Sequence, residues 1–105
     1  MSKTDKIREF LSDDDAMTLL KTIDMLNPMS KSVNECCTIR LVSEVMAKSL
    51  RETWSLVNKG IECEVIMSYG GVLSRKRIDL TELGELLTEC TTPNEIKEVL
   101  KNVEN

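Results

Sequence analysis

Four groups of side chains in this chain are of types that could do chemistry. They are the cysteines Cys36, Cys37, Cys63 and Cys90, the run Asp13-Asp14-Asp15, the basic cluster Arg75-Lys76-Arg77 and the pair Gly70-Gly71. Zinc needs ligands at short fixed spacings, usually with histidine or four spaced cysteines. Here there is no C-x-x-C pair and no histidine, so no metal is expected. Cys36-Cys37 lies where a helix N-terminus would stabilise a thiolate, but adjacent cysteines on a mostly apolar helix usually serve as small buried residues. The three aspartates lack the spaced pattern and glycine of a calcium loop. They suit instead the positive end of a helix. Gly70-Gly71 is too short to cradle a phosphate. With no tuned acid, base or nucleophile in prospect, neither enzymatic activity nor a cofactor is expected.

The composition fits one soluble domain. The chain has 105 residues, is 41% hydrophobic and 30% charged, and carries a net charge of −4. Only Phe10, Trp54 and Tyr69 are aromatic, so the core must come from Leu, Ile, Val and Met. By segment, residues 1–30 carry −2, 31–60 carry +2, 61–80 are neutral and 81–105 carry −4. An acidic chain binds nucleic acid poorly without a local basic patch. No apolar run reaches the length of a membrane span and the polar start is unlike a signal peptide. A cytoplasmic protein with reduced cysteines is the expectation.

The periodicities predict an α+β fold: a mainly helical single domain, residues 1–105, with a long central helix, one antiparallel β-hairpin and two C-terminal helices. The helices are expected at about 3–11, 13–26, 31–59, 80–90 and 93–104, and the hairpin at 61–78. Ser2-Lys-Thr-Asp5 opens the first helix like a capping box. Ala16, Leu19, Leu20, Ile23 and Leu26 share one face of the second, which Asn27-Pro28 should end. Ile39, Val42, Met46, Leu50, Trp54 and Val57 recur at three- and four-residue intervals, which reads as one long stripe. Gly60 would supply its left-handed stop, and Trp54 should be largely buried.

After Gly60 the apolar residues alternate, as in a strand, and Gly70-Gly71 fits a two-residue hairpin turn. That register places Glu64 opposite Arg77 and Cys63 opposite Ile78. Asp79-x-x-Glu82 and Thr92-Pro93-Asn94-Glu95 read as starts of the last two helices.

The leading functional expectation is a small regulatory factor that acts by binding another protein, of the adaptor, inhibitor or accessory kind that phages and mobile elements often encode. Cys37 and Leu41 fall on an otherwise polar helix face near Glu44, and these three are the candidate protein-contact residues. Two open strand edges add the expectation of a homodimer. The competing reading is a winged-helix-like DNA-binding regulator. In it a helix starting at Ser30 reads DNA with Ser30, Lys31, Ser32 and Asn34, and the hairpin contacts phosphates with Arg75, Lys76 and Arg77. Against it stand the chain's acidity, Glu35 on the leading face, a bulky Ile23 where such motifs prefer a small residue, and a helix far too long for the role.

Overall fold

The computed structural model describes residues 2–29 and 37–103. Its helices are α1 (Lys3–Leu11), α2 (Ala16–Met29), α3 (Ile39–Met46), α4 (Leu50–Glu62), α5 (Glu82–Thr88) and α6 (Pro93–Val103). The strands β1 (Ile66–Ser68) and β2 (Ile78–Leu80) pair antiparallel, and a 3-10 turn, Leu73–Arg75, lies between them. This is the mainly helical α+β domain that the periodicities indicate, built around one core.

The centre is α2. Ala16, Leu19, Leu20 and Ile23 are fully buried, and the helix packs on α1, α3, α5 and β2. It does not end before Pro28, as the sequence suggested. A proline in the last turn costs one backbone donor but leaves the preceding turns intact. The Asn27 amide donates to the Ile23 carbonyl at 3.2 Å and to the Asp79 carboxylate at 2.8 Å, which ties this turn to β2.

The continuous helix over 31–59 is not present; residues 30–36 lie outside the described segments. Residues 37 and 38 are extended, and Thr38 forms an antiparallel bridge with Arg77. The Ile78 amide donates to the Cys37 carbonyl, and the Ile39 amide to the Lys76 carbonyl. One edge of β2 is thereby covered, so both edges of the hairpin are not open. Further on, the stripe breaks into α3 and α4 at Ala47, whose φ of +55° is left-handed. The Lys48 amide reaches back to the Ser43 carbonyl at 3.0 Å, closing α3 with the bonding of a Schellman end. Ser49 then starts α4: its hydroxyl accepts from the Glu52 amide and donates to the Glu52 carboxylate, each at 3.1 Å. Ser49-x-x-Glu52 is thus a helix start set inside an apolar stripe that stays in phase across the break.

Gly60 is not a stop but a buried residue inside α4. A Cβ there would crowd the Ile66 side chain and approach Phe10, so the bare backbone lets β1 lie against the helix. The left-handed residue that ends α4 is Glu64, at φ +64°, with the Val65 amide bonded to the Gly60 carbonyl.

The hairpin register differs from the expected one. Ile66 faces Leu80, Met67 faces Asp79 and Ser68 faces Ile78. Gly70 and Gly71 do take positive φ, but the loop they begin runs on to Arg77. Glu64 accordingly pairs with Lys3 of α1 rather than with Arg77. Asp79 lies in β2 and does not cap α5. That role belongs to Thr81, whose hydroxyl accepts from the Gly84 amide at 3.1 Å and donates to the Glu64 carbonyl at 2.6 Å. Gly84 is required by contact: a Cβ would run into the Val65 carbonyl oxygen.

These junctions generate a set of stability predictions. Ala47→Gly should stabilise the protein by up to about 1 kcal/mol, because a left-handed Ala costs about 1–2 kcal/mol, partly offset by the chain entropy of glycine. Ser49→Ala should cost about 1 kcal/mol, the usual value of an N-cap, and Gly84→Ala about 1–3 kcal/mol through overpacking. Denaturant melts of the three variants measure these differences.

Candidate nucleic-acid interface

The break at Ala47 makes α3, a three-residue turn (Ala47-Lys48-Ser49) and α4 into a helix–turn–helix. Thr53, Leu56, Val57 and Gly60 turn inward from α4. At 100° per residue the opposite face carries Arg51, Ser55, Asn58 and Glu62. Arg51, Ser55 and Glu62 are exposed and Asn58 is half-buried. Arginine, serine and asparagine at positions i, i+4 and i+7 are hydrogen-bonding types that can read base edges in a major groove. On α3, Ser43 is 4% exposed and satisfies its hydroxyl on the Arg40 carbonyl at 2.7 Å. This is the small residue that the first helix of such a pair favours, and Ile23 has no part in the pair.

The turn is held from outside. Lys48 Nζ lies 2.6 Å from an Asp15 carboxylate oxygen and 3.7 Å from one of Glu52. The hydrogen bond that Lys48 donates to Asp15 raises the Lys48 pKa above its ordinary 10.5, against an opposing effect of burial. Asp13, Asp15, Arg51, Glu52, Ser55 and Lys59 line one open groove of about 350 Å³. The aspartate run therefore flanks the outer face of α4 and places negative charge beside it.

The hairpin loop borders the other side of α4. Lys76 lies over the Trp54 ring, with Nζ 5.9 Å from its centroid, a cation–π distance. Trp54 is half-buried and packs against the core. Arg75 and Arg77 are exposed. Val72 and Leu73, at 73% and 74%, are the most exposed large apolar residues described.

The residues singled out from the sequence thus separate. Lys76 lies over Trp54 of α4, while Arg75 and Arg77 are exposed on either side of it in the loop, whose 3-10 turn packs on α3. Ser30, Lys31, Ser32 and Asn34, the residues of the expected reading helix, lie outside the described segments, as does Cys36. Of the three protein-contact candidates, Cys37 is fully buried and offers no surface, Leu41 is half-buried, and exposed Glu44 pairs with Arg40 at 3.6 Å. Arg51, Ser55 and Asn58 were not singled out as a candidate site, because the apolar stripe hid the helix start at Ser49.

Burial pushes the Cys63 and Cys90 thiols above their ordinary pKa, with nearby glutamates adding to the effect, which disfavours thiolate chemistry at either. Among the described residues no group of three His, Cys, Asp or Glu side chains could hold a metal ion, and no helix is long and apolar enough to cross a membrane. Compared with known proteins, the chain matches no protein family, no curated protein and no solved structure.

The charged contacts give the pH dependence a definite sign. The Lys3 ammonium lowers the Glu64 pKa below 4.5, and the Thr91 hydroxyl and amide lower that of Glu95. Their stabilisation is therefore present above the ordinary value and lost as pH falls through the lowered folded values. Lys48 acts at the other end: its contribution holds below 10.5 and fades as pH rises through the raised folded value. Thermal melts across pH should show Glu64→Gln and Lys48→Met each slightly less stable than wild type near neutrality, with the Glu64→Gln difference vanishing in acid and the Lys48→Met difference vanishing in alkali.

Proposed function

We propose that this chain is a non-enzymatic, DNA-binding regulatory protein of the winged helix–turn–helix kind, with α4 as its reading helix and the loop 69–77 as its wing. The observation that carries this reading is the order of elements and their pairing. An extended segment bridges β2, α3 and α4 follow across a three-residue turn, and an antiparallel hairpin comes next whose loop lies on α4 through Lys76 and Trp54. In a helix–turn–helix the second helix enters the major groove while flanking elements hold the backbone. Here α4 offers Arg51, Ser55 and Asn58 to bases, and the loop offers Arg75, Lys76 and Arg77 to phosphates. The objection that a reading helix of nearly 30 residues is too long no longer applies, since α4 spans 13 residues. The acidity of residues 81–105 is compatible with this reading because phosphate contacts depend on local cations.

A second reading keeps the protein-binding expectation. It is favoured by the exposed apolar residues of the hairpin, with Met67 and Tyr69 each 45% exposed below Val72 and Leu73. Aromatic residues and methionine are enriched where proteins dock.

Duplex DNA titrated against the protein at several salt concentrations separates the two readings. Salt-sensitive binding is expected, and replacing Arg75, Lys76 and Arg77 with serine should reduce the log–log salt slope by about one unit per lost phosphate contact. Arg51→Ala or Asn58→Ala should instead cost about 1–3 kcal/mol on a preferred sequence and relax its selectivity. Trp54 emission, sitting between helix and loop, should change on saturation. Absence of binding to any duplex at low salt would leave the protein-docking reading in its place.

A further inference from the structure

The geometry points to an apolar wedge at the tip of the hairpin loop: Leu73, with Val72 beside it, enters the minor groove next to the α4 site, partly unstacks a base step and kinks the duplex. This inference rests on the DNA-binding reading and goes beyond it, because binding through α4 and the loop cations requires no side chain inserted between bases.

Three observations support it. First, Val72 and Leu73 leave nearly three quarters of their surface in water, at the end of the loop, where they contribute little to the core. Second, the tip is held in a strained shape. Leu73 sits at φ +53°, in the left-handed region that a branched side chain rarely adopts, and follows Gly70 at +76°, Gly71 at +79° and an extended Val72. The loop folds back so tightly that a Cβ on Gly71 would run into the Arg75 carbonyl oxygen. Backbone strain of this kind persists where the surrounding structure enforces it and is concentrated at functional sites. Third, the wedge is flanked by charge of the sign DNA requires. Arg75 and Arg77 are exposed within four residues of Leu73, and Lys76 fixes the loop on Trp54 of α4.

Proteins that kink DNA from the minor groove combine these features: a leucine, isoleucine, methionine, phenylalanine or proline inserted at a base step, with arginine or lysine beside it. The groove is only about 6 Å wide, which admits a narrow tip rather than a helix. Of the exposed apolar residues of the hairpin, Val72 and Leu73 are the two at the loop centre, and three cations follow within four residues of Leu73.

The test is fluorescence transfer between the ends of a short duplex rich in TA steps, which unstack easily, with binding followed in parallel. Wild type should bend the duplex by an angle on the order of 20–90°. Leu73→Ser should remove the bend while leaving the salt slope of binding unchanged, and Leu73→Met, which keeps a side chain able to insert, should retain it. Arg75→Ser with Arg77→Ser should reduce the slope by about two units yet still bend the DNA at saturation. A straight wild-type complex, or equal bending by Leu73→Ser, overturns the wedge while leaving DNA binding intact. If no duplex binds at all, the DNA reading fails and the wedge with it. Should Leu73→Ser instead convert a sedimenting dimer to monomer without altering the bend, the tip is a contact between copies and the wedge is wrong.

Discussion

The left-handed turn at Ala47 is the constraint on which the outward-facing structure depends. Residues 39–57 carry one apolar stripe, and a straight helix would bury it along a single line, leaving the polar residues of both halves as one long face. Reversing the backbone at Ala47 divides that stripe. Val42 and Ser43 pack from one helix, Thr53, Leu56 and Val57 from the next, and all are nearly or fully buried. The polar face of α4 is thereby detached from that of α3 and presented as a short helix of its own. Two local bonds fix the turn, the Lys48 amide on Ser43 and the Ser49 cap on Glu52. The ion pair of Lys48 with Asp15 adds a tether to the preceding helical pair. That tether is partly exposed, and exposed pairs contribute little on their own. Burial of the two apolar faces supplies most of the driving force.

A second junction sets the position of the hairpin. Thr81 holds the carbonyl of Glu64 through its side chain and that of Val65 through its amide, while Gly84 makes room for Val65 itself. The end of α4, the start of α5 and the base of the hairpin meet at this point. Two strands of three residues each would be marginal alone. They persist because Ile66, Ile78 and Leu80 are buried against helices and because residues 37–39 pair with the free side of β2. The loop beyond them carries the exposed Val72 and Leu73.

The charge distribution follows from the same arrangement. A net charge of −4 is an average over surfaces that differ in sign. The acid of residues 81–105 belongs to the C-terminal helices, while Arg75, Lys76 and Arg77 are consecutive in the hairpin loop, with Lys76 on Trp54 of α4. Asp13 and Asp15 are the exception, since they share a groove with Arg51 and Lys59. A polyanion approaching α4 meets repulsion on that side and attraction on the hairpin side, which biases its approach toward the loop.

The sequence by itself determined the apolar face of α2, but not the fate of the long stripe, where Leu50 is 43% exposed and Trp54 half-buried. The apolar period of α2 is a local property of spacing, and Ala16, Leu19, Leu20 and Ile23 are buried where it puts them. Positive φ at Gly70 and Gly71 was equally legible, because glycine alone adopts it without cost. The tertiary structure decided where the chain turns. Both left-handed helix ends, Ala47 and Glu64, are non-glycine residues, while Gly60, the expected stop, is consumed by close packing against Ile66. The hairpin register followed burial of Ile66 and Ile78 rather than the shortest available turn. The candidate reading face was hidden for the same reason: a stripe that continues in phase through a break leaves no mark in its period, and only packing against α2 and the hairpin distinguishes two helices from one.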